Sequence, residues 1–375
     1  MSSNDKVLRM KTKKDFFRLA VCLLGCMALF AVWIAVIDPF HYYHAPWFGM
    51  PTILEDVVYQ TPGNAVNFEY DSAIVGTSMT ENFRVSWFDE ELGWDTMKLC
   101  YAGAACNDLK VILECVYAND RQVEHIFMDL NDYQLTSPAD VCYVERPEYL
   151  YTVNPMDDYR YLYNHDVFVK GIGLVQAAAR GEQGNIETSY TWDDAELFGK
   201  ERVLEASRLT KEKLVEEKEQ ALSEENTDEK AQAALKESKK EEAIKNCQEN
   251  LNQIIPFIQE HPETEYIIYF PPYSIIYWEQ VVLADELEEK MAVYTYAIEQ
   301  LLPYENVKIY YLQGEDFIEN LDEYRDATHH KPEYNRYAFD YIKEDKNRLT
   351  IDNYQTEIQK VYEKTKDYDY ESLWR

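Results

Sequence analysis

Glycine is scarce in this chain, 12 in 375 residues, and no P-loop, HExxH or paired CxxC motif occurs. The first absence removes the glycine-rich cradle that nucleoside triphosphates need, and the others remove the usual zinc frameworks. Basic residues are also short: 37 Lys and Arg stand against 69 Asp and Glu, giving a net charge of −32. No basic surface is available to neutralise phosphates, so nucleic acid is excluded as a partner. Of seven cysteines, Cys22 and Cys26 fall in an apolar run, and the remaining Cys100, Cys106, Cys115, Cys142 and Cys247 are odd in number with no framework spacing. They read as buried small apolar residues rather than a disulfide scaffold. With 46% hydrophobic residues the chain has ample material for a core, which excludes wholesale disorder.

What is present begins with Leu19–Ile37, nineteen consecutive uncharged residues. At 1.5 Å per helical residue they span about 28 Å, close to the hydrocarbon thickness of a bilayer. Lys6, Arg9, Lys11, Lys13, Lys14 and Arg18 precede the run and an acidic chain follows it. The positive-inside rule therefore puts residues 1–18 in the cytoplasm and everything after the anchor outside the cell membrane. Phe40, Tyr42, Tyr43, Trp47 and Phe48 at the exit suit the headgroup zone. A cleavable signal peptide has a shorter apolar region and a small-x-small site, which Ile37-Asp38-Pro39-Phe40 does not supply. Leu23-Leu24-Gly25-Cys26 looks like a lipobox, but eleven apolar residues beyond Cys26 would then have no purpose. The expectation is an uncleaved single-pass anchor.

After a linker at 38–69, strands alternate with helices. Ser72–Val75, Met97–Tyr101, His125–Leu130, Tyr266–Phe270 and Val307–Leu312 are short apolar runs. Leu109, Ile112 and Val116 fall at helical spacing; so do Leu251, Ile254, Ile255 and Ile258, with a kink expected at Pro256. Leu283, Leu287, Met291, Tyr294, Ile298 and Leu302 trace one stripe with a period near 3.6. The pattern predicts an α/β fold with a mainly parallel sheet covered on both faces. Residues 70–132 and 246–345 are its two parts. Between them, 133–245 reads as a large, mostly helical insertion: a Tyr-rich stretch, then a charged run from 201 to 245 expected to be solvated helix. Residues 346–375 predict a final amphipathic helix around Ile351, Tyr354, Ile358 and Tyr362.

Open α/β sheets carry their sites beyond the carboxyl ends of the strands. Gly76-Thr77-Ser78-Met79-Thr80-Glu81-Asn82 follows the first strand, Ala102-Gly103-Ala104 the second, Asn131-Asp132 the third, and Asp326-Ala327-Thr328-His329 lies beyond the fifth. Ser78 offers a hydroxyl at a strand-to-helix turn, and a serine nucleophile needs an adjacent base, for which His329 is the candidate. Asp326, three residues earlier, shares a face with His329 in a helical turn and would orient the imidazole. The N–H groups of Ser78 and Gly103 and the Asn131 side chain would donate to an oxyanion. Alternatives stand beside these roles. Ser78-x-x-Glu81 is also a capping box, His330 is an alternative base, and Phe270-Pro271-Pro272-Tyr273-Ser274 either lines the site or is a turn. His41-x-x-His44 has metal-ligand spacing but sits at the membrane exit, where interfacial roles are expected.

The order Gly-x-Ser, Gly, Asn-Asp, Asp-x-x-His resembles the SGNH (GDSL-like) hydrolase family, over roughly 70–132 and 251–342, about half the chain. The anchored, outward-facing layout is similar to its cell-surface branch, which includes teichoic-acid D-alanylation and polysaccharide O-acetylation proteins. The resemblance implies a flavodoxin-like three-layer sandwich and no metal or organic cofactor. It implies Ser78 as nucleophile, His329 and Asp326 as the acid–base pair, and Gly103 and Asn131 as oxyanion donors. It departs from the family in reading Gly-Thr-Ser rather than Gly-Asp-Ser, and in carrying Asp129 where Gly-x-Asn-Asp has glycine. The expected activity is that of a serine esterase or O-acyltransferase on a cell-envelope polysaccharide or other acylated polymer. A transferase would need a multi-spanning membrane acyltransferase as partner. The competing expectation is a catalytically inactive surface-binding or assembly protein with the same fold.

Overall fold

The computed structural model describes residues 3–142, 145–152, 155–194, 197–223 and 229–375. They form two compact units, residues 1–68 with 146–185, and residues 69–145 with 186–375. The interval 133–245 is thus divided between them, and residues 224–228 of its charged run lie outside the described residues.

The first unit is built on one helix, Ser3–Ile37, of which Thr12–Ile37 is long and apolar enough to cross a membrane, an 18-residue stretch of it having mean hydropathy 2.7. Its end is anchored by polar chemistry. The buried Asp38 carboxylate accepts from the Tyr161 hydroxyl at 2.6 Å and from the N–H groups of Tyr42, Tyr43 and His44 at 3.0, 2.7 and 3.0 Å. Ile34, Phe40, Tyr149, Leu150, Tyr161 and Val167 form the core beside it. Both histidines of the 41–44 pair are engaged: His41 Nδ1 lies 2.7 Å from Asn64 Oδ1, and His44 Nε2 lies 2.8 Å from the Ala35 carbonyl with its ring stacked on Trp47.

The second unit holds five parallel strands: β1 (Ser72–Val75), β2 (Thr96–Lys98), β3 (His125–Asp129), β4 (Glu265–Phe270) and β5 (Val307–Tyr311), in the order β2-β1-β3-β4-β5. Strands buried on both faces have no polar side to show, which is why their sequences are mainly apolar. On one face Ile74, Phe127, Ile267 and Tyr269 join Phe83, Phe88, Phe339 and Ile342 from the helices Val85–Leu92 and Pro332–Lys343 and the turn before the first of them. On the other, Ala73, Val75, Ile126, Met128, Tyr266 and Ile268 are buried as well. Helices Cys106–Val116, Glu229–Glu260 and Leu287–Leu301 pack together.

Pro256 lies inside the helix Glu229–Glu260, at the position where a kink is expected. Two local expectations need correction. The stripe from Leu283 to Leu302 is two helices, Ile275–Leu283 and Leu287–Leu301, parted where Asp285 takes φ +57°. The last helix is Tyr354–Lys366, so Ile351 precedes it and is exposed. Cys100, Cys106, Cys115 and Cys247 are buried free thiols; Cys142 is exposed.

The chain leaves β1 toward β2 on one side and returns past it to β3 on the other. Their carboxyl ends therefore flank the crevice in which such sheets bind ligands.

Candidate active site

β1 ends at Val75, Gly76 turns the chain, and Thr77 caps the short helix Ser78–Glu81. Thr77 Oγ1 accepts from the Met79 N–H at 3.2 Å. The capping task therefore falls to Thr77, not Ser78, and the Ser78-x-x-Glu81 box does not form. Freed from the backbone, the Ser78 hydroxyl lies 2.8 Å from His329 Nε2.

The turn that presents Ser78 is held from β3. Asp129, wholly buried at the end of that strand, accepts from the Thr77 N–H at 2.7 Å and the Thr77 hydroxyl at 2.8 Å. Burial pushes its carboxyl up to about 6, against the hydrogen bonds from Thr77 and Asn131 that favour the anion. A Cβ at Gly76 would meet Asp129 Oδ1 at 2.1 Å, so only glycine admits this carboxylate. Asp129 thus clamps the turn that presents Ser78, which accounts for an acid where the resemblance expects glycine.

Asn131 belongs to the same clamp. Its Nδ2 donates to Asp129 Oδ2 at 3.0 Å and reaches Thr77 Oγ1 at 3.4 Å, while its Oδ1 caps the next helix by accepting from the Gln134 N–H at 3.1 Å. The amide expected to face an oxyanion is turned to these partners. Gly103 follows β2 in a left-handed conformation, φ +72°. Among the described residues, the N–H groups of Ser78 and Gly103 have no hydrogen-bond partner.

Residues 325–329, which carry Asp326 and His329, form a tight loop rather than the helical turn expected. The Arg325 N–H donates to the His329 carbonyl at 2.8 Å, and Tyr324 and His330 form an antiparallel bridge that closes residues 325–329. Within the loop Asp326 Oδ1 accepts from the N–H groups of Thr328 and His329, both at 2.9 Å. The carboxylate lies 3.0 and 2.8 Å from His329 Nδ1 through its two oxygens. Burial opposes its charge, but the hydrogen bonds and the His329 ring outweigh it and hold the carboxyl below the usual range. The Phe270–Ser274 segment supports this loop: the Ser274 N–H and hydroxyl donate to the Ala327 carbonyl at 3.0 and 2.8 Å. His330 points elsewhere, with Nε2 3.3 Å from the Tyr269 hydroxyl, and burial pushes it down to about 4.

Two neighbours of the site escaped the sequence reading. Trp192 donates from Nε1 to the Ser78 carbonyl at 3.2 Å, and its ring stands edge-on to His329 with centroids 5.2 Å apart. No spacing rule links it to Ser78. Glu81, one turn after Ser78, is buried and pushed up to about 7 by desolvation, against a hydrogen bond from the Ala102 backbone and the nearby Lys98 ammonium. Lys98 Nζ donates to the carbonyls of Glu81 and Ser189 at 2.9 and 3.1 Å. A lysine inside the apolar run Met97–Tyr101 was the available signal.

Beside Asp326 lies a cavity of about 370 Å³ lined by Arg202, Glu205, Ala206 and Arg325. Among the described residues neither guanidinium has a carboxylate partner within ion-pair distance. Arg325 lies 5.9 Å from the Trp192 ring centroid, so cavity, tryptophan and imidazole are contiguous. Among the described residues, no group of three or more His, Cys, Asp or Glu side chains is placed to hold a metal ion.

Serine, imidazole and carboxylate form one hydrogen-bonded line whose free end is the partly exposed Ser78 hydroxyl. Such a line can move a proton from the hydroxyl to the ring while the carboxylate balances the charge. Compared with protein-family models, curated proteins and solved structures, the chain finds no match.

Proposed function

We propose that this protein is an SGNH-type serine esterase or O-acyltransferase, anchored by Leu19–Ile37 and acting outside the cell membrane on an acylated envelope polymer. The observation that carries the reading is the continuous line Ser78 Oγ–His329 Nε2 and His329 Nδ1–Asp326, at 2.8 Å and 2.8 Å. The strand order β2-β1-β3-β4-β5 supports a flavodoxin-like three-layer sandwich, with Ser78 following the first strand at its switch point.

In this reading Ser78 Oγ attacks the ester carbonyl carbon as His329 Nε2 takes its proton. Asp326 holds the ring in the tautomer that accepts at Nε2 and stabilises the imidazolium. The oxyanion of the tetrahedral intermediate is met by the unpartnered N–H groups of Ser78 and Gly103. His329 returns the proton to the departing alcohol, leaving an acyl-serine. Water then completes hydrolysis, or a sugar hydroxyl completes transfer, with His329 again as base. Asn131 acts on the turn rather than on the oxyanion. A transferase would draw acyl groups from a multi-spanning membrane acyltransferase, and the anchor keeps Ser78 near such a partner.

The test is release of acyl groups from acylated envelope polysaccharide by the full-length protein in detergent. Acetate or another short acid released by the wild type and not by Ser78→Ala is expected for an esterase. Acyl transfer onto an added sugar oligomer, again lost in Ser78→Ala, is expected for a transferase. Neither product from the wild type would contradict the reading.

A further inference from the structure

We infer that Glu81 is a positioning residue of this site: its buried carboxylate holds the Tyr101–Ala104 turn so that the Gly103 N–H is aimed at the oxyanion formed on Ser78. The inference rests on the proposed role of Ser78 and concerns the second unit alone.

Backbone hydrogen bonds isolate one donor in this turn. The Tyr101 N–H donates to the Gly76 carbonyl at 3.1 Å, which sets the turn against the loop that presents Ser78. The Ala102 N–H donates to the Glu81 carboxylate. The Ala104 N–H donates to the Tyr101 carbonyl at 3.2 Å, and the Ala105 N–H to Asp108 Oδ2 at 2.9 Å. Among the described residues, the Gly103 N–H alone of these five is left without a partner. The Ala104 bond closes a four-residue turn in which Ala102 keeps a negative φ and Gly103 takes φ +72°. That combination is a type II turn, whose internal shape is fixed by its own backbone. Its placement relative to Ser78 is not, and the contact nearest the free donor that supplies it is the one from Glu81 to Ala102.

Glu81 can do this because it stands on an immobile support. Every carbonyl of the helix Ser78–Glu81 is engaged. Ser78 accepts from Trp192 Nε1 at 3.2 Å, Met79 from Asn335 Nδ2 at 2.8 Å, Thr80 from the Phe83 N–H at 3.1 Å, and Glu81 from Lys98 Nζ at 2.9 Å. The Glu81 side chain also accepts from the Trp192 ring. Burial works against a carboxyl in this place, and the hydrogen bonds from Ala102 and Trp192 offset part of that cost. One helical turn thus carries the Ser78 hydroxyl at its start and, through Glu81 at its end, the turn that holds the Gly103 donor. An oxyanion exists only after attack, so a misplaced donor slows turnover without weakening substrate binding.

The experiment compares three variants of the full-length protein in detergent. Glu81→Ala removes the acceptor, and Glu81→Gln keeps an acceptor oxygen of the same reach. Ala102→Pro deletes the N–H while suiting the first central position of a type II turn. On a small acetyl ester, kcat should fall roughly 10- to 100-fold in Glu81→Ala and Ala102→Pro with KM unchanged, less than the loss from deleting an oxyanion donor outright. The two losses should not multiply in the double variant, and Glu81→Gln should stay near wild type. A second readout needs no activity. Isotopic labelling of alanine carbonyl carbons and glycine nitrogens isolates the Gly103 amide, because Ala102-Gly103 is the only Ala-Gly pair in the chain. Its magnetic-resonance signal should move in Glu81→Ala and hold its position in Glu81→Gln. Full kcat in folded Glu81→Ala or Ala102→Pro, or a Gly103 signal unmoved in Glu81→Ala, would overturn the inference alone. A wild type that turns over no ester, with its Gly103 signal still tied to Glu81, would overturn the esterase reading and the catalytic part of the inference together.

Discussion

The Ser78 hydroxyl lies 2.8 Å from His329 Nε2, although 251 positions separate the two in the chain. The contact depends on two loops fixed independently of each other. The Gly76–Ser78 turn is clamped by Asp129 from the end of β3, and residues 325–329 are closed by their own backbone and held by Ser274 from the end of β4. Both loops are held from strand ends of one parallel sheet, so the sheet sets the distance between the Ser78 hydroxyl and the His329 ring.

Removing the Asp326 carboxylate from the His329 ring tests the catalytic role proposed for the pair. Asp326→Asn should lower kcat by about 10³–10⁴-fold on a small acetyl ester with KM little changed. The fold should survive, since Oδ1 of asparagine can still accept from the Thr328 and His329 N–H groups. A fall in KM-linked binding with kcat intact would count against the assigned role.

Gly76→Ala should damage the protein through the turn. The added methyl would strike Asp129 Oδ1, a buried carboxylate with no room to retreat. Overpacking of this kind costs about 1–3 kcal/mol, and displacement of the Asp129 clamp adds to it. Denaturant unfolding should show a lower midpoint, and Ser78 reactivity should fall with it. Gly93→Ala, where a Cβ meets nothing within 4 Å, should leave Ser78 reactivity intact.

The sequence carried the sheet because parallel strands are buried on both faces and show as mainly apolar runs, although β2 ends at Lys98, three residues before the run Met97–Tyr101 does. It carried Ser78 because it follows the end of β1 in a short motif, and Asp326 and His329 because they stand three residues apart beyond the last strand. What it concealed depends on approach in space. Thr77 and Ser78 are equally suited to cap a helix, and only the Asp129 carboxylate, reaching over Gly76 from another strand, decides which hydroxyl is left for His329. Asn131 looked like an oxyanion donor for the same reason: its motif position was legible and its hydrogen-bond partners were not. Trp192 reaches Ser78 from 114 positions away through a segment with no periodic pattern. The stripe from Leu283 to Leu302 kept its period across a break that Asp285 makes with one left-handed residue.

Two buried acids set a pH dependence of stability. Burial raises Glu81 from its ordinary 4.5 to about 7 and Asp129 from 3.8 to about 6. Each binds its proton more tightly folded than unfolded, so the stability it contributes is full below the unfolded value and is lost as pH rises through the folded one. The unfolding midpoint should therefore fall between about pH 4.5 and 7, and Glu81→Gln should flatten that slope. An unchanged slope in Glu81→Gln would show that its carboxyl titrates as an ordinary one.

The cavity beside Asp326 predicts a preference for substrates carrying an anionic group near the ester. Replacing Arg202 and Arg325 by glutamine should raise KM for a hemisuccinate ester roughly tenfold or more, the scale of lost charge-assisted hydrogen bonds, and leave the matching neutral acetate ester nearly unchanged. Equal effects on both esters would assign the arginines to structure instead.

The most direct measurement is covalent labelling of the full-length protein with a fluorophosphonate, which reports an activated serine without knowledge of the substrate. The account predicts one label per chain on Ser78, absent in Ser78→Ala and strongly slowed in His329→Ala. No labelling of correctly folded wild type, or labelling that persists in Ser78→Ala, would contradict it.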